Sequence, residues 1–132
     1  MLAISKYPQE FVDMARRQIA AQVEAFRKLG SSESVREFEP SYFNNLVLAL
    51  EMHFVHRTRA VEKKDGNPMN EVRVLAMSLI SNNGVLGEDR TIKLEAETSV
   101  LGYRVGDVIA IREDQFVALA KAFFDDLETK YV

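Results

Sequence analysis

The only two histidines of the chain, His53 and His56, lie three residues apart in a long apolar segment, residues 46–59 (LVLALEMHFVHRTR). At about 100° per helical residue, the two rings are separated by about 60° around the helix axis, so both can face the same neighbour. Two imidazoles together with a carboxylate from an adjacent helix, such as Glu71 or Glu24, could bind a divalent metal ion. Metal binding is therefore the chemistry that these residue types allow.

The same helical geometry limits such a metal site. Glu51 lies about 200° from His53, so we expect its carboxylate to point almost the opposite way and not to complete a site with these histidines. No second helix carries a histidine, and neither ring has a glutamate at the Glu-x-x-His spacing of di-metal bundles. We therefore predict no metal and no cofactor; if a metal were bound, His53 and His56 would be its ligands.

A structural role is the main alternative for the histidines. With Asn45 and Arg57 they form a polar seam, whose imidazole and amide groups would be satisfied by backbone carbonyls, water and acidic side chains. The seam could also contact a ligand or a second subunit. The sequence leaves these alternatives open.

A second unusual stretch, residues 65–73 (DGNPMNEVR), is typical of a turn followed by the start of a helix. Asp-Gly favours a turn, Asn67 suits the N-cap, and Pro68 suits the first helical position. In a functional interpretation, polar side chains from this stretch join the histidine helix at the mouth of a pocket. The residues of this candidate pocket are His53, His56, Arg57, Asn70, Glu71 and Arg73.

Other catalytic motifs are missing from the sequence. The chain has no cysteine, which excludes thiol nucleophiles, thiolate metal sites and disulfides. Ser78 and Ser81 have no histidine near them in sequence, and the glycines occur singly at turns instead of in a phosphate-binding run. The sequence therefore favours a non-enzymatic role.

The elements that would position these side chains follow from the apolar periodicity. It predicts four helices, over about residues 8–29, 41–61, 68–82 and from 113 onward. Residues 30–34 (GSSES) are typical of a linker, and Pro40 is expected to fix the turn into the second helix. Because residues 42–55 are apolar on nearly every face, we expect the second helix to be the central element.

Between the third and fourth helices the pattern changes to a two-residue period. Residues 91–96 (TIKLEA) alternate apolar and polar side chains, and residues 107–111 (DVIAI) form a short β-favouring run. The predicted fold class is α+β, mainly α: four helices around a central hydrophobic helix, with a small antiparallel β-hairpin between helices 3 and 4.

Length and composition predict a single globular domain over residues 1–132, because 47% apolar residues suffice for one core. The formal charge of -3 argues against a surface built to neutralise phosphates. The N-terminus does not look like a secretory signal, and no apolar run is long enough to span a bilayer. We therefore expect a soluble, cytoplasmic protein without membrane association.

The predicted order of elements resembles that of winged-helix DNA-binding domains. In such a domain the third helix would read the DNA, yet it offers Asn70, Glu71 and Arg73 with little other positive charge. The wing would carry Glu95 and Glu97 where phosphate contacts are needed. Nucleic-acid binding is therefore disfavoured.

The expected function is that of a small soluble non-enzymatic domain acting through self-association, such as a homodimer, or through a protein partner. This expectation depends on apolar side chains that lie off the principal helical stripes, namely Phe43, Phe54, Phe124 and Tyr131. The alternative is a small-molecule or divalent-metal-binding protein, with enzymatic activity left open, that uses the His53/His56 seam.

Overall fold

The computed structural model describes residues 6–58 and 63–132. Its helices are α1 (Gln9–Arg27), α2, α3 (Pro68–Ser81) and α4 (Glu113–Tyr131). Helix α2 changes its winding along its length: it is α-helical over Glu33–Leu50, π-helical over Glu51–Val55 and α-helical again over His56–Thr58. The predicted end of the second helix near residue 61 lies outside the described residues.

Helices α1, α3 and α4 confirm the sequence prediction. Asn67 caps α3, since its side-chain oxygen accepts a hydrogen bond of 2.9 Å from the backbone N–H of Asn70. Asn83, in the left-handed region at φ 56°, follows the end of α3. Helix α4 begins at Glu113, and the backbone N–H of Arg112 before it donates to the side chain of Gln115 at 2.9 Å.

The predicted start of α2 is wrong. The helix begins at Glu33, where the Ser32 hydroxyl accepts a hydrogen bond from the backbone N–H of Val35, and not at about residue 41. Most of the supposed linker is therefore cap and helix, and Pro40 lies inside the helix instead of at its entry. A proline there removes one helical hydrogen bond, so contacts from another part of the chain must compensate.

The expectation that α2 is the central element is confirmed for its inner face, whereas its opposite face is not surrounded by the other described helices. Its inner face, with Leu50 and Phe54 fully buried, packs against the other helices. The Phe54 ring alone contacts the rings of Tyr7, Phe11, Phe123 and Phe124 at centroid distances of 5.1 to 5.8 Å. The segment from residue 46 to residue 55 thus forms the hub of the core.

The predicted β-hairpin is wrong, and with it the α+β class: over residues 6–58 and 63–132 the chain contains helices and no β-strand. One isolated antiparallel bridge joins Val85 to Val108. The two supposed strands bond elsewhere: the N–H of Lys93 donates to Lys64, and that of Ile109 donates to Gly84. Ile92, Ile109 and Ile111 still enter the core, which explains the alternating pattern without a sheet. The hairpin that a winged-helix domain would need is therefore missing from this part of the chain.

None of the described helices is both long and apolar enough to cross a membrane.

Candidate functional site

The histidines lie in and next to the π-helical part of α2, and this changes which side chains meet. A π-helix bonds residues five apart instead of four, so side chains at i and i+5 come to lie one above the other. As a result, Glu51 Oε1 lies 3.8 Å from His56 Nδ1, with the glutamate buried and the imidazole 45% exposed. The prediction that Glu51 cannot join the histidines is therefore wrong for His56, because it assumed α-helical winding.

His53 is held by its own helix. Its Nδ1 lies 2.8 Å from the carbonyl oxygen of Ala49, which can only accept, so Nδ1 carries the proton. The imidazole packs against the Phe54 ring at a centroid distance of 6.1 Å. Among the described residues, no three histidine, aspartate or glutamate side chains are grouped so that they could hold a metal ion. The imidazole of His53 therefore has a hydrogen-bond partner in the backbone of its own helix.

The π-helical segment and the residues that follow it contact Tyr7 and Phe11, which lie near the N-terminus. The Phe54 carbonyl accepts hydrogen bonds from the Tyr7 hydroxyl at 2.8 Å and from the Thr58 hydroxyl at 3.1 Å. Burial raises the pKa of Tyr7 to about 12, although the nearby Arg57 guanidinium opposes the shift. The guanidinium carbon of Arg57 lies 5.7 Å from the centroid of the Phe11 ring, a cation–π distance. These contacts anchor the histidine end of α2.

Asn70 and Glu71, the buried members of the predicted pocket, hold loops in place. The Glu71 carboxylate accepts hydrogen bonds from the backbone N–H groups of Val100 at 2.8 Å and of Leu101 at 2.9 Å. Asn70 accepts one from Gly66 N–H at 3.0 Å and donates one to the carbonyl of residue 63 at 2.8 Å. Burial raises the pKa of Glu71, and its two backbone hydrogen bonds partly oppose this. Both side chains thus have a structural task.

Arg73, the last predicted pocket residue, lies on α3 at a shallow cleft that Asp89 also lines. A neighbouring cleft of about 420 Å³ lies between α3 and the segment after it, and its apolar part includes Val74, Leu86 and Ile92. Its lining carries three acidic side chains, Glu88, Asp89 and Glu95, and three basic ones, Arg90, Lys93 and Arg104. This balance gives the cleft no preference for a ligand of one charge. Sequence reasoning missed it because residues 92–96, which form part of its lining, were assigned to a hairpin.

The outer face of α2 is the remaining feature, and we call it the Asn45 face. At about 100° per residue, its α-helical members lie within about 60° of Asn45 around the helix axis, and the exposed Met52, in the π-helical segment, ends the face. Four members are exposed, and three are half-buried because they also pack against the core of the monomer. The exposed members are Phe38, Ser41, Asn45 and Met52; the half-buried ones are Tyr42, Leu48 and Ala49. Phe38 and Met52, at its two ends, are 46% and 63% exposed.

The Asn45 face carries no charged side chain, although 28% of the residues of the chain are charged. Residues 40–50 (PSYFNNLVLAL) include no acid and no base, which is the sequence signal that could have identified the face. It was overlooked because all the apolar residues there were assigned to the core.

Comparison with known proteins assigns no family: no family model matches the chain, and neither a curated protein nor a solved structure is significantly similar to it. Functional inference therefore depends on the geometry described above.

Proposed function

We propose that the protein is a non-enzymatic domain that acts as a homodimer, joined through the Asn45 face. The observation that carries the proposal is the long, half-exposed face of α2 without a single charged side chain. Solvated helix faces normally carry charged residues, and an uncharged apolar face marks a surface that is covered by something.

Symmetry favours a second copy of the chain as the partner. A two-fold interface places the same patch of both subunits against itself, so charged groups near the axis meet like charges. A face that pairs with its own copy must therefore be uncharged near its centre, as the Asn45 face is. For a different protein partner, complementary charges would be tolerated, and in this acidic chain they would be expected.

The size of the face indicates a dimer of moderate affinity. From Phe38 to Met52 it extends over about 21 Å of helix at 1.5 Å per residue. One helix face of that length, with its flanking residues, is at the small end of stable protein interfaces. We therefore expect dissociation in the micromolar range.

The proposal does not depend on the aromatic residues that the sequence analysis emphasised. Phe43, Phe54, Phe124 and Tyr131 are all buried within the monomer, at 0 to 7% exposure, so they are not available to a partner. The expectation that they form unsatisfied surface is wrong, because all four belong to the hydrophobic core.

Sedimentation equilibrium at micromolar to submillimolar concentrations tests the proposal. The wild-type chain should dimerise, whereas Asn45→Glu, which places a like-charge pair at the interface, should remain monomeric. Gln18→Glu adds the same charge to the exposed side of α1 and is the matched control, which should dimerise like the wild type. A wild-type monomer at all concentrations, or an Asn45→Glu variant that dimerises normally, would refute the proposal.

A second variant tests an exposed apolar surface on another helix. Met77 and Ile80 on α3 are 41% and 66% exposed and lie in an uncharged stretch of sequence. That surface spans one helical turn and borders the charged clefts, so we expect Ile80→Glu to dimerise like the wild type. If Ile80→Glu alone were monomeric, the interface would lie on α3 and the proposal would be wrong.

A further inference from the structure

We infer that the two copies pack α2 against α2 in antiparallel orientation, with the two-fold axis passing beside Asn45. This inference rests on the proposed function, since it specifies the register of that homodimer. It follows from the order of residues on the Asn45 face, which is nearly palindromic in side-chain size about Asn45.

Antiparallel helices related by a two-fold axis at residue 45 bring position 45 + n opposite position 45 - n of the other copy. The residues of the face match in this arrangement. Three positions away, Tyr42 faces Leu48, and four away the small Ser41 faces Ala49. Seven positions away, the exposed Phe38 faces the exposed Met52, a favourable sulfur–aromatic pair.

The centre of the face suits a close helix crossing. Ser41 and Ala49 lie one turn on either side of Asn45, and their small side chains let two helices approach to about 8 Å. At the axis the two Asn45 amides meet, and each can both donate and accept a hydrogen bond. A single asparagine at such a position fixes register in other helix pairs.

Charge at the ends of the face distinguishes antiparallel from parallel packing. The first turns of α2 are acidic, with Glu33 and Glu37, whereas its last described turns carry His53, His56 and Arg57. Antiparallel packing places the acidic start of one copy beside the basic end of the other, with Glu37 eight positions before the axis and His53 eight after it. Parallel packing would place the acidic ends together and align the helix dipoles unfavourably.

Disulfide trapping tests the register, and the absence of cysteine from the chain makes it unambiguous. Asn45→Cys should cross-link to its own copy at least about tenfold faster than Gln18→Cys, because the dimer holds its thiols together at high effective concentration. Phe38→Cys or Met52→Cys alone should cross-link slowly. Mixed, with one variant carrying a size tag, they should form the heterodimer preferentially.

The outcomes separate the register from dimerisation itself. If Phe38→Cys and Met52→Cys each cross-link with themselves as fast as Asn45→Cys, the helices are parallel and the inference is wrong. The inference is also wrong if sedimentation shows a dimer but none of these cysteine variants forms a disulfide-linked dimer. Ser41→Cys mixed with Ala49→Cys repeats the test without altering Asn45. A monomer in sedimentation would instead refute the proposed function.

Discussion

Arg112 donates a hydrogen bond of 2.7 Å to the backbone carbonyl of Arg36, the oxygen that Pro40 leaves without a partner inside α2. The residue next to Arg112 completes the contact, since the N–H of Glu113 donates to the Glu39 carboxylate at 2.7 Å. The start of α4 is therefore fastened to α2 where the proline interrupts it. This contact keeps α2 continuous along the length of the Asn45 face.

Removal of the Arg112 side chain should show this compensation. Arg112→Ala is expected to cost about 1 kcal/mol of unfolding free energy, because the Arg36 carbonyl loses its donor. In a Pro40→Ala background the backbone N–H of residue 40 is restored, so the same substitution should cost less. Urea unfolding of the four proteins of this double-mutant cycle measures the difference. An equal cost in both backgrounds would contradict the account.

The sequence predicted the existence of α2 but neither its start nor its change of winding, and the residues concerned are Pro40 and Glu51. Pro40 is a strong local signal for a helix start, and its tolerance inside α2 depends on Arg112, which is 72 positions away in the chain. The π-helical winding at Glu51 has no periodic signature of its own, so the position of Glu51 beside His56 could not be derived at 100° per residue.

The segment between α3 and α4 was also predicted only in part. The alternation around Ile92 predicts a strand with one face toward the core, and in the structure Ile92 is buried while Leu94 and Ala96 are half-buried. Strand pairing did not follow, because the backbone of Lys93 bonds to Lys64 and the chain turns at Thr98 instead of returning as a second strand. Side-chain periodicity indicates burial, but it does not show where backbone hydrogen bonds go.

Glu71 should contribute strongly to stability through the loop that it holds. Glu71→Ala removes the acceptor of the Val100 and Leu101 N–H groups, so we expect a loss of about 3 kcal/mol in unfolding free energy. Glu95→Ala, at an exposed acidic position, is the control and should change stability by less than about 0.5 kcal/mol. Similar losses in both variants would show that the buried carboxylate does not anchor the loop.

The buried carboxyl of Glu71 also predicts a pH dependence. Its pKa in the folded chain is raised above the ordinary value of 4.5, so the folded state binds this proton more tightly than the unfolded state. Stability relative to the Glu71→Gln variant should therefore be greatest below pH 4.5 and fall as the pH rises through the folded-state pKa. Urea unfolding of both proteins over a pH series measures this. A difference that grows with pH would show that the hydrogen bonds outweigh burial.

Gly66 should be the least replaceable glycine of the loops. A Cβ atom there would lie 2.1 Å from the carbonyl oxygen of Lys93, and its φ is +87°. Gly30 has a similar φ of +84° with nothing within 4 Å of a Cβ, so Gly30→Ala isolates the backbone strain. We expect Gly66→Ala to be less stable than Gly30→Ala by roughly 2 kcal/mol, measured by thermal unfolding. Equal losses of stability in the two variants would mean that the loop of Gly66 is not in close contact with the backbone of Lys93.

The central claim is that the Asn45 face of one copy covers that of another. Two-dimensional amide NMR spectra of the wild-type chain, recorded over a dilution series, test it most directly because they locate the interface without any substitution. The account predicts concentration-dependent shifts concentrated along α2 between Phe38 and Met52, and little change on the exposed side of α1. Spectra that stay unchanged on dilution from millimolar to low micromolar concentration, or shifts centred on α3, would contradict it.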